Sequence, residues 1–310
     1  MDKRERFDAV IAGEQADRPP VGCWIHFGSA LWEPADSATA HVRFYREYDW
    51  DYVKVMNDYR LATPDGLDEA PSADYLRGVG AADLTYPGFA RQLEVLRLIG
   101  EQAPEAPRLD TMFSPLQTVI RCLGQTVVPQ FQADPELARM VLGQVTDRLV
   151  EYVAALKEAG VEGLFLSING ASHDATGWGI SAQEFTDWVA PFDRQVLTAA
   201  EGLTRVIHVH GYDLAPELVA DYPAEVLSWS NNQTRPSVAE VAASDRVPLA
   251  GLDEVASLYW PPSLVAENIA AVRQQAADRL ILGPGCTVHS DTPPAVLRAL
   301  RAGAEAGAAR

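Results

Sequence analysis

Cysteine is scarce in this sequence of 310 residues, which contains three. Cys23, Cys122 and Cys286 are odd in number and far apart, so no disulfide framework is indicated, and the pattern is typical of a reducing compartment. Long hydrophobic runs are missing as well. No apolar stretch approaches the ~18 residues of a membrane-spanning helix, and the charged start of the chain has no signal-peptide core. We therefore expect a soluble, cytoplasmic protein.

Positive charge is the other deficit, with 25 Lys and Arg residues against 43 Asp and Glu residues and a formal net charge of -18. Binding to nucleic acid or to an anionic membrane surface depends on clustered positive charge. We therefore expect neither nucleic acid nor a membrane as a partner. The turn after the first predicted strand also lacks a GxGxxG motif, so we expect no nucleotide cofactor.

What the sequence does contain is a regular alternation of short apolar runs with longer segments of helical periodicity. Barrel folds routinely use ~250 residues as one unit, so the length allows a single domain over residues 1–310. We predict an α/β fold, a (β/α)8 TIM barrel preceded by a short extra helix at residues 3–12; an open, doubly wound sheet is the alternative. The eight predicted strands cover residues 20–27, 51–57, 108–113, 161–168, 205–210, 225–229, 247–252 and 279–282. The predicted helices include residues 90–101, 135–159, 182–200, 263–277 and 293–306.

Polar side chains follow most of these strands, where barrel enzymes place their active sites. His208 and His210 are two residues apart in an extended strand, so they project to the same side. Two imidazoles supply half of a metal site. Cys286, after the last predicted strand, could complete a catalytic zinc site with one open position. The alternative is a pair of hydrogen-bonded barrel histidines beside a small buried cysteine.

Further strand-end residues are candidates for catalysis and substrate binding. Asp58 follows an apolar strand, where a carboxylate can act as a general acid or base or orient the substrate; its alternative role is to cap a loop. His26 and His289 are candidate proton carriers, and His26 could instead be a hydrogen-bonded core residue. The residues expected to contact the substrate are Asn57, Tyr59, Ser167, Asn169, Trp229, Asp253 and Glu254.

Four segments of the chain resemble the uroporphyrinogen decarboxylase superfamily. They are RERFDAVIAGEQADRPPVGCW at residues 4–24, DWDYVKVMNDYR at 49–60, PLAGLDE at 248–254 and LGPGCTVHSDTPPAVLRAL at 282–300. The resemblance covers essentially the whole chain and implies a barrel enzyme. The superfamily comprises a haem-pathway decarboxylase that uses no metal, and zinc-dependent methyltransferases that move methyl groups between corrinoid proteins and thiols or other acceptors.

The two branches of the superfamily differ in the residues of the site. The resemblance to the decarboxylase matches Asp58 with an aspartate that binds pyrrole NH groups, and extends to Ser167. However, the RQAGR signature of that branch is replaced by residues 25–29, IHFGS, and the histidine of its LGHG motif is Pro284. The resemblance therefore does not imply an octa-anionic tetrapyrrole substrate.

The methyltransferase branch carries zinc on an HxC motif and a later cysteine. His208, His210 and Cys286 occupy the three corresponding positions, with His210 in place of a cysteine. Two nitrogens and one sulfur form a harder ligand set, which could also take iron, copper or nickel.

The resemblance favours a metal-dependent enzyme, most simply a zinc enzyme, that activates a thiol or oxygen-bearing small molecule for methyl or alkyl transfer. It implies a corrinoid protein as a partner and a homodimer as the assembly. The alternatives are a metal-free decarboxylase or other lyase acting on a smaller acid, and a non-catalytic barrel that binds a small molecule or a corrinoid.

Overall fold

The computed structural model describes residues 1–59, 71–78, 87–173, 179–276 and 279–306. Seven parallel strands form one sheet there, in which each strand pairs with the next along the chain. Helices connect successive strands, as parallel pairing requires. The strands are β1 (Val53–Val55), β2 (Arg108–Phe113), β3 (Gly163–Asn169), β4 (Thr204–His210), β5 (Val226–Trp229), β6 (Val247–Leu252) and β7 (Ile281–Pro284).

The predicted first strand, residues 20–27, is reduced to a bridge, so the described sheet has seven strands and not the predicted eight. Val21 forms one parallel bridge with Leu282 of β7, and its carbonyl accepts a hydrogen bond from the backbone N–H of Asp51. The segment therefore lies between the two edges of a curled sheet. A regular ladder is prevented because Pro20 has no N–H and because the N–H of Val21 donates to the Asp51 carboxylate, at 2.8 Å.

Twelve α-helices are described in the same ranges. The predicted helix at 135–159 is α7, which covers nearly the same residues. The predicted helix at 182–200 is instead two helices that meet at Val189, because Pro191 lacks the N–H that a continuous helix would need. No described helix is both long and apolar enough to cross a membrane. The helices are α1 (Lys3–Ile11), α2 (Pro34–Tyr48), α3 (Ala73–Leu76), α4 (Pro87–Gln102), α5 (Pro115–Leu123), α6 (Val127–Ala133), α7 (Pro135–Glu158), α8 (Ala182–Trp188), α9 (Ala190–Ala199), α10 (Val238–Ala242), α11 (Pro262–Ala276) and α12 (Pro294–Glu305).

Helix α1 covers the end of the sheet where the strands begin. A capping box between Asp2 and Glu5 starts the helix. Phe7 and Val10 are buried and belong to the same apolar cluster as Leu109, which lies at the start of β2. The opposite end of the sheet, where the strands end, is therefore left for the functional site.

A buried ion-pair network stabilises the same end of the sheet, where the strands begin. Asp51 is fully buried, and its carboxylate accepts hydrogen bonds from Arg6 at 2.8 Å and from Arg18 at 2.5 Å. A buried carboxylate is costly unless it is paired and hydrogen-bonded. Both arginines come from the first 18 residues, so this N-terminal segment supplies the charge that Asp51 needs.

Side chains inside the curled sheet change from apolar to polar along the strands. Near the strand starts, Leu109, Phe165 and Val206 form part of an apolar cluster. Two residues beyond Phe165 and Val206, the register places Ser167 of β3 opposite His208 of β4. His208 in turn pairs with Ser228 of β5. The polar groups are thus concentrated at the carboxyl ends of the central strands.

Candidate functional site

A cavity of about 320 Å³ opens at the carboxyl ends of the strands. This volume suits a small molecule. Its lining combines aromatic rings, cationic side chains, amides, imidazoles and a thiol. The lining residues are Trp24, His26, Lys54, Met56, Thr111, Phe113, Gln117, Arg121, Phe165, Ser167, Asn169, His208, His210, Cys286 and Thr287.

His208 is held by contacts on two sides of its ring. The imidazole stacks on Phe165 with ring centroids 5.4 Å apart, and its Nδ1 lies 3.1 Å from the Oγ of Ser228. When Nδ1 carries the proton and donates it to this hydroxyl, the lone pair on Nε2 is free to bind a ligand. Nε2 is buried and has no hydrogen-bond partner among the described residues.

Cys286 is brought to His210 by the turn after β7. Gly285 precedes it, and a Cβ at this glycine would lie 2.8 Å from the Cα of Ser230 and 2.6 Å from Oε2 of Glu254. Only glycine allows this close approach of the two backbones. The Sγ of Cys286 then lies 3.6 Å from the Nδ1 of His210.

The three side chains fit a metal ion in spacing and in chemistry. One ligand atom from each of His208, His210 and Cys286 lies within 4.8 Å of the other two. In a tetrahedral zinc site with bonds of about 2.1 Å to nitrogen and about 2.3 Å to sulfur, those two ligand atoms stand about 3.6 Å apart. The distance between His210 and Cys286 matches this value, and the unpartnered Nε2 of His208 supplies the third donor.

The electrostatics of the cluster favour the ligand form of each group. Burial lowers the pKa of His208 and that of His210, which favours the neutral imidazoles. Burial alone would raise the pKa of Cys286, but the interaction with His208 and the backbone N–H of Thr287 outweigh it, so that this pKa is lowered. Metals bind neutral histidine and cysteine thiolate.

Asp58 and His26 form a dyad at the rim of the cavity. Nδ1 of His26 lies 2.8 Å from Oδ1 of Asp58, while Oδ2 of Asp58 accepts hydrogen bonds from the backbone N–H of Ser29 at 2.9 Å and its hydroxyl at 2.8 Å. Burial raises the pKa of Asp58, but these hydrogen bonds outweigh it and hold the pKa well below its usual range. The carboxylate is therefore ionised and orients His26, which is half-exposed and lines the cavity.

Three of the predicted substrate-contacting residues lie in or beside the cavity. Ser167 and Asn169 line it, and the buried Nδ2 of Asn169 has no partner among the described residues. Glu254 lies behind Gly285; its Oε1 accepts a hydrogen bond from Ser230 at 2.5 Å, and its Oε2 is unpartnered in the described structure. Burial raises the pKa of Glu254.

Four other predicted residues do not line this cavity. Asn57 and Tyr59 line a second, smaller cavity of about 40 Å³. Trp229 is fully buried and donates from Nε1 to the carbonyl of Pro236, since it points to the opposite face of β5 from Ser228. Asp253 caps the loop after β6, accepting hydrogen bonds from the backbone N–H groups of residues 255 and 256.

His289 also lies outside the cavity lining. Its side chain is 59% exposed, and its Nδ1 accepts a hydrogen bond from the backbone N–H of Asp291 at 3.1 Å. This local turn holds the imidazole on the surface of the loop after β7. The structure therefore brings His26, but not His289, to the cavity.

Lys54 is one of the cavity residues that the sequence did not single out. It lies in the middle of β1, and its Nζ donates to Oγ1 of Thr111 at 2.9 Å. The signal available in the sequence was a lysine between two valines in a strand that the barrel prediction buries.

Comparison with known proteins identifies the family. The model of the family "Uroporphyrinogen decarboxylase (URO-D)" matches residues 80–306. The chain therefore belongs to the uroporphyrinogen decarboxylase family, as the resemblance of its motifs predicts. No curated protein matches the sequence.

Solved structures show the same fold at low sequence identity. A methyltransferase from Methanosarcina mazei is 17% identical, with 99% of each chain covered and a TM-score of 0.76. A putative vitamin-B12 independent methionine synthase from Listeria monocytogenes is 12% identical over 81% of this chain and 71% of that one, with a TM-score of 0.50. At these identities the likeness establishes the fold and leaves the reaction to be argued from the site.

Proposed function

We propose that this protein is a zinc-dependent enzyme that activates a thiol or oxygen-bearing small molecule for methyl or alkyl transfer. The observation that carries the proposal is the cluster of His208, His210 and Cys286 on the wall of the cavity, with ligand atoms within 4.8 Å of one another. Bound zinc would supply Lewis acidity, which lowers the pKa of a bound thiol and polarises a bound oxygen.

The chain's own residues would then orient the substrate and handle its proton. Ser228 contacts Nδ1 of His208 and fixes the orientation of its ring. Ser167 and Asn169 offer hydrogen bonds to a bound substrate from the cavity wall. His26, oriented by Asp58, would accept the proton released when the acceptor ionises.

We further propose a protein partner as the source of the methyl group. The superfamily resemblance points to a corrinoid protein, and the Methanosarcina mazei protein of similar fold is itself a methyltransferase. We also propose that residues 1–310 form a single catalytic domain and that the protein is a homodimer. Titration with a corrinoid protein and a free thiol tests the proposed methyl transfer, because binding without turnover would favour a non-catalytic carrier.

The metal content of protein purified without a polyhistidine tag tests the zinc proposal. We expect one equivalent of metal in the wild type and none in Cys286→Ser or His208→Ala, because loss of one of three protein ligands weakens affinity by orders of magnitude. Cys122→Ser is the matched control and should keep the metal, because Cys122 lies on helix α5.

His210→Cys gives a complementary result. It restores the cysteine that the methyltransferase branch carries at this position, so zinc should be retained or bound more tightly. A folded His210→Cys variant that binds no metal, or full retention of metal by Cys286→Ser, would overturn the proposed site.

Metal-free decarboxylation of a smaller acid is the second candidate. It is favoured by the ionised Asp58 beside His26 at the cavity rim, since a carboxylate there can stabilise a protonated heterocycle. Release of carbon dioxide that survives a chelator but is lost in Asp58→Asn would establish this reaction. Loss of all activity in chelator would exclude it.

A further inference from the structure

The cavity contains a buried lysine to which the proposed function assigns no role. The chain has three lysines, Lys3, Lys54 and Lys157. Lys3 pairs with Asp49, and Lys157 binds a backbone carbonyl at the end of helix α9. Lys54 is 4% exposed and lines the cavity.

No carboxylate forms an ion pair with Lys54 among the residues that the structure describes. Its Nζ contacts the hydroxyl of Thr111 and, at 3.1 Å, the sulfur of Met56, a weak acceptor. The same Nζ lies 4.2 Å from the ring centroid of Phe165 and 5.1 Å from that of Trp24. Cys286, Asp110 and Asp58 favour the charged form of Lys54 without forming an ion pair with it, and burial outweighs them. A buried ammonium enclosed by aromatic rings and neutral acceptors therefore lacks the direct partner that buried charges require.

The position of Lys54 in the barrel sets how far a ligand must reach. Its partner Thr111 is level with Phe165, whereas His208 is level with Ser167, two residues further along the strands. Counted along the strands at ~3.3 Å per residue, the backbone level of His208 is roughly 7 Å beyond that of Thr111, and the ligand atoms of His210 and Cys286 lie within 4.8 Å of that of His208. A small molecule can therefore span the cavity from Lys54 to the metal-binding atoms.

We propose that Lys54 binds the carboxylate of a small acidic substrate, whose other end lies at the cluster of His208, His210 and Cys286. The assignment rests on the proposed function only in taking this cavity as the substrate site. A protein with a net charge of -18 repels anions in general. A site that binds an anionic substrate therefore needs its own cationic side chain. Arg121 adds a second cation to the lining, packed on the ring of Phe113.

The energetics of the free protein agree with this role. Burial lowers the pKa of Lys54 to about 7, so the free protein holds the ammonium weakly near neutral pH. A bound carboxylate would stabilise the charged form by direct pairing. Replacing Lys54 by methionine removes an unpaired buried charge, so this change should leave the folded protein at least as stable as the wild type.

Titration calorimetry at pH 6.5 with hexanoate and hexanamide tests the proposal. The two probes have the same carbon chain and differ in charge. Metal-stripped protein is compared with zinc-loaded protein, so that binding of the carboxylate to zinc can be distinguished from binding to Lys54. We expect hexanoate to bind about 10- to 100-fold more tightly than hexanamide in both forms, the range expected for a hydrogen bond to a charged group. A preference seen with zinc alone would assign the carboxylate to the metal and overturn the role of Lys54.

Three variants distinguish a loss of carboxylate binding from a loss of folding. Lys54→Met should lose the preference for hexanoate while keeping its melting temperature, Lys54→Arg should retain the preference, and Lys157→Met is the surface control that should behave as wild type. Lys54→Met that keeps the preference would overturn the proposal. If Lys54→Met does not fold, the comparison of the two probes in the wild-type protein tests the proposal by itself. Equal affinities for hexanoate and hexanamide, or no binding of hexanoate at ~10 mM, would then overturn it.

The outcome is separable from that of the zinc proposal. The carboxylate preference is measured without metal, whereas the zinc proposal stands or falls on metal content and its loss in Cys286→Ser. A protein that binds zinc but shows no carboxylate preference would keep the first proposal and reject the second.

Discussion

Replacing Ser228 by alanine should weaken metal binding without removing a ligand atom. Ser228 is fully buried, and its Oγ is the polar contact of His208 Nδ1, at 3.1 Å. Groups that orient metal-binding histidines typically contribute 10–100-fold to affinity, which corresponds to about 1.4–2.7 kcal/mol. The substitution also leaves Nδ1 of His208 without its partner inside the protein. A buried unsatisfied group costs ~1–3 kcal/mol of folding stability.

Competition with a chromophoric chelator measures the zinc affinity directly, and urea denaturation measures the stability. Ser257→Ala is a matched control, because Ser257 is also fully buried and its Oγ has no partner among the described residues. We expect at least about tenfold weaker zinc binding in Ser228→Ala and no change in Ser257→Ala. Equal affinities for the wild type and Ser228→Ala would refute the role of this hydrogen bond.

Three further changes test other parts of the molecule. Deleting residues 1–18 removes both arginine partners of the buried Asp51. Because an uncompensated buried charge costs about 3–5 kcal/mol, we expect the truncated protein to unfold at a much lower urea concentration. A truncated protein that is stable but loses activity would instead place this segment at the active site. Gly285→Ala would set a Cβ 2.8 Å from the backbone of the neighbouring loop, so it should displace Cys286 and lower metal content; unchanged content would contradict the tight turn. Burial raises the pKa of Asp193 from 3.8 to about 7, so the folded protein holds this proton more tightly than the unfolded chain and loses stability as the pH rises between these values. Asp193→Asn should remove that loss, about 4 kcal/mol at about 1.4 kcal/mol per pKa unit; identical slopes of unfolding free energy against pH in the two proteins would be the contrary result.

The meeting of His208, His210 and Cys286 could be predicted because it depends on short-range rules. His208 and His210 are two apart in a strand, so they share a face, and the carboxyl ends of parallel strands meet at one edge. That edge also receives Cys286 after β7. The side of β5 that faces the cavity could not be predicted in the same way. Its register with β4 places Ser228 inside and Trp229 outside, and register depends on pairing between strands that the sequence of either strand does not contain.

Long-range contacts account for the remaining differences. The predicted first strand is shortened because the carboxylate of Asp51 takes the N–H of Val21, a contact between residues 30 positions apart. A lysine within a strand predicted to be buried is unusual, because charged residues are rarely buried, but the sequence does not show what surrounds the side chain of Lys54. The proposed role of Lys54 depends on Thr111 and Phe165, which two other strands place around its Nζ.

X-ray absorption at the zinc edge is the most direct test of the proposed metal site. For zinc-loaded, untagged wild-type protein, we predict one sulfur ligand at about 2.3 Å and nitrogen or oxygen ligands at about 2.0–2.1 Å. In Cys286→Ser, any zinc that is still bound should lack the sulfur ligand, whereas Cys122→Ser should give the wild-type spectrum. A wild-type spectrum without sulfur, or a sulfur ligand that persists in Cys286→Ser, would contradict the assignment of His208, His210 and Cys286 as the metal centre.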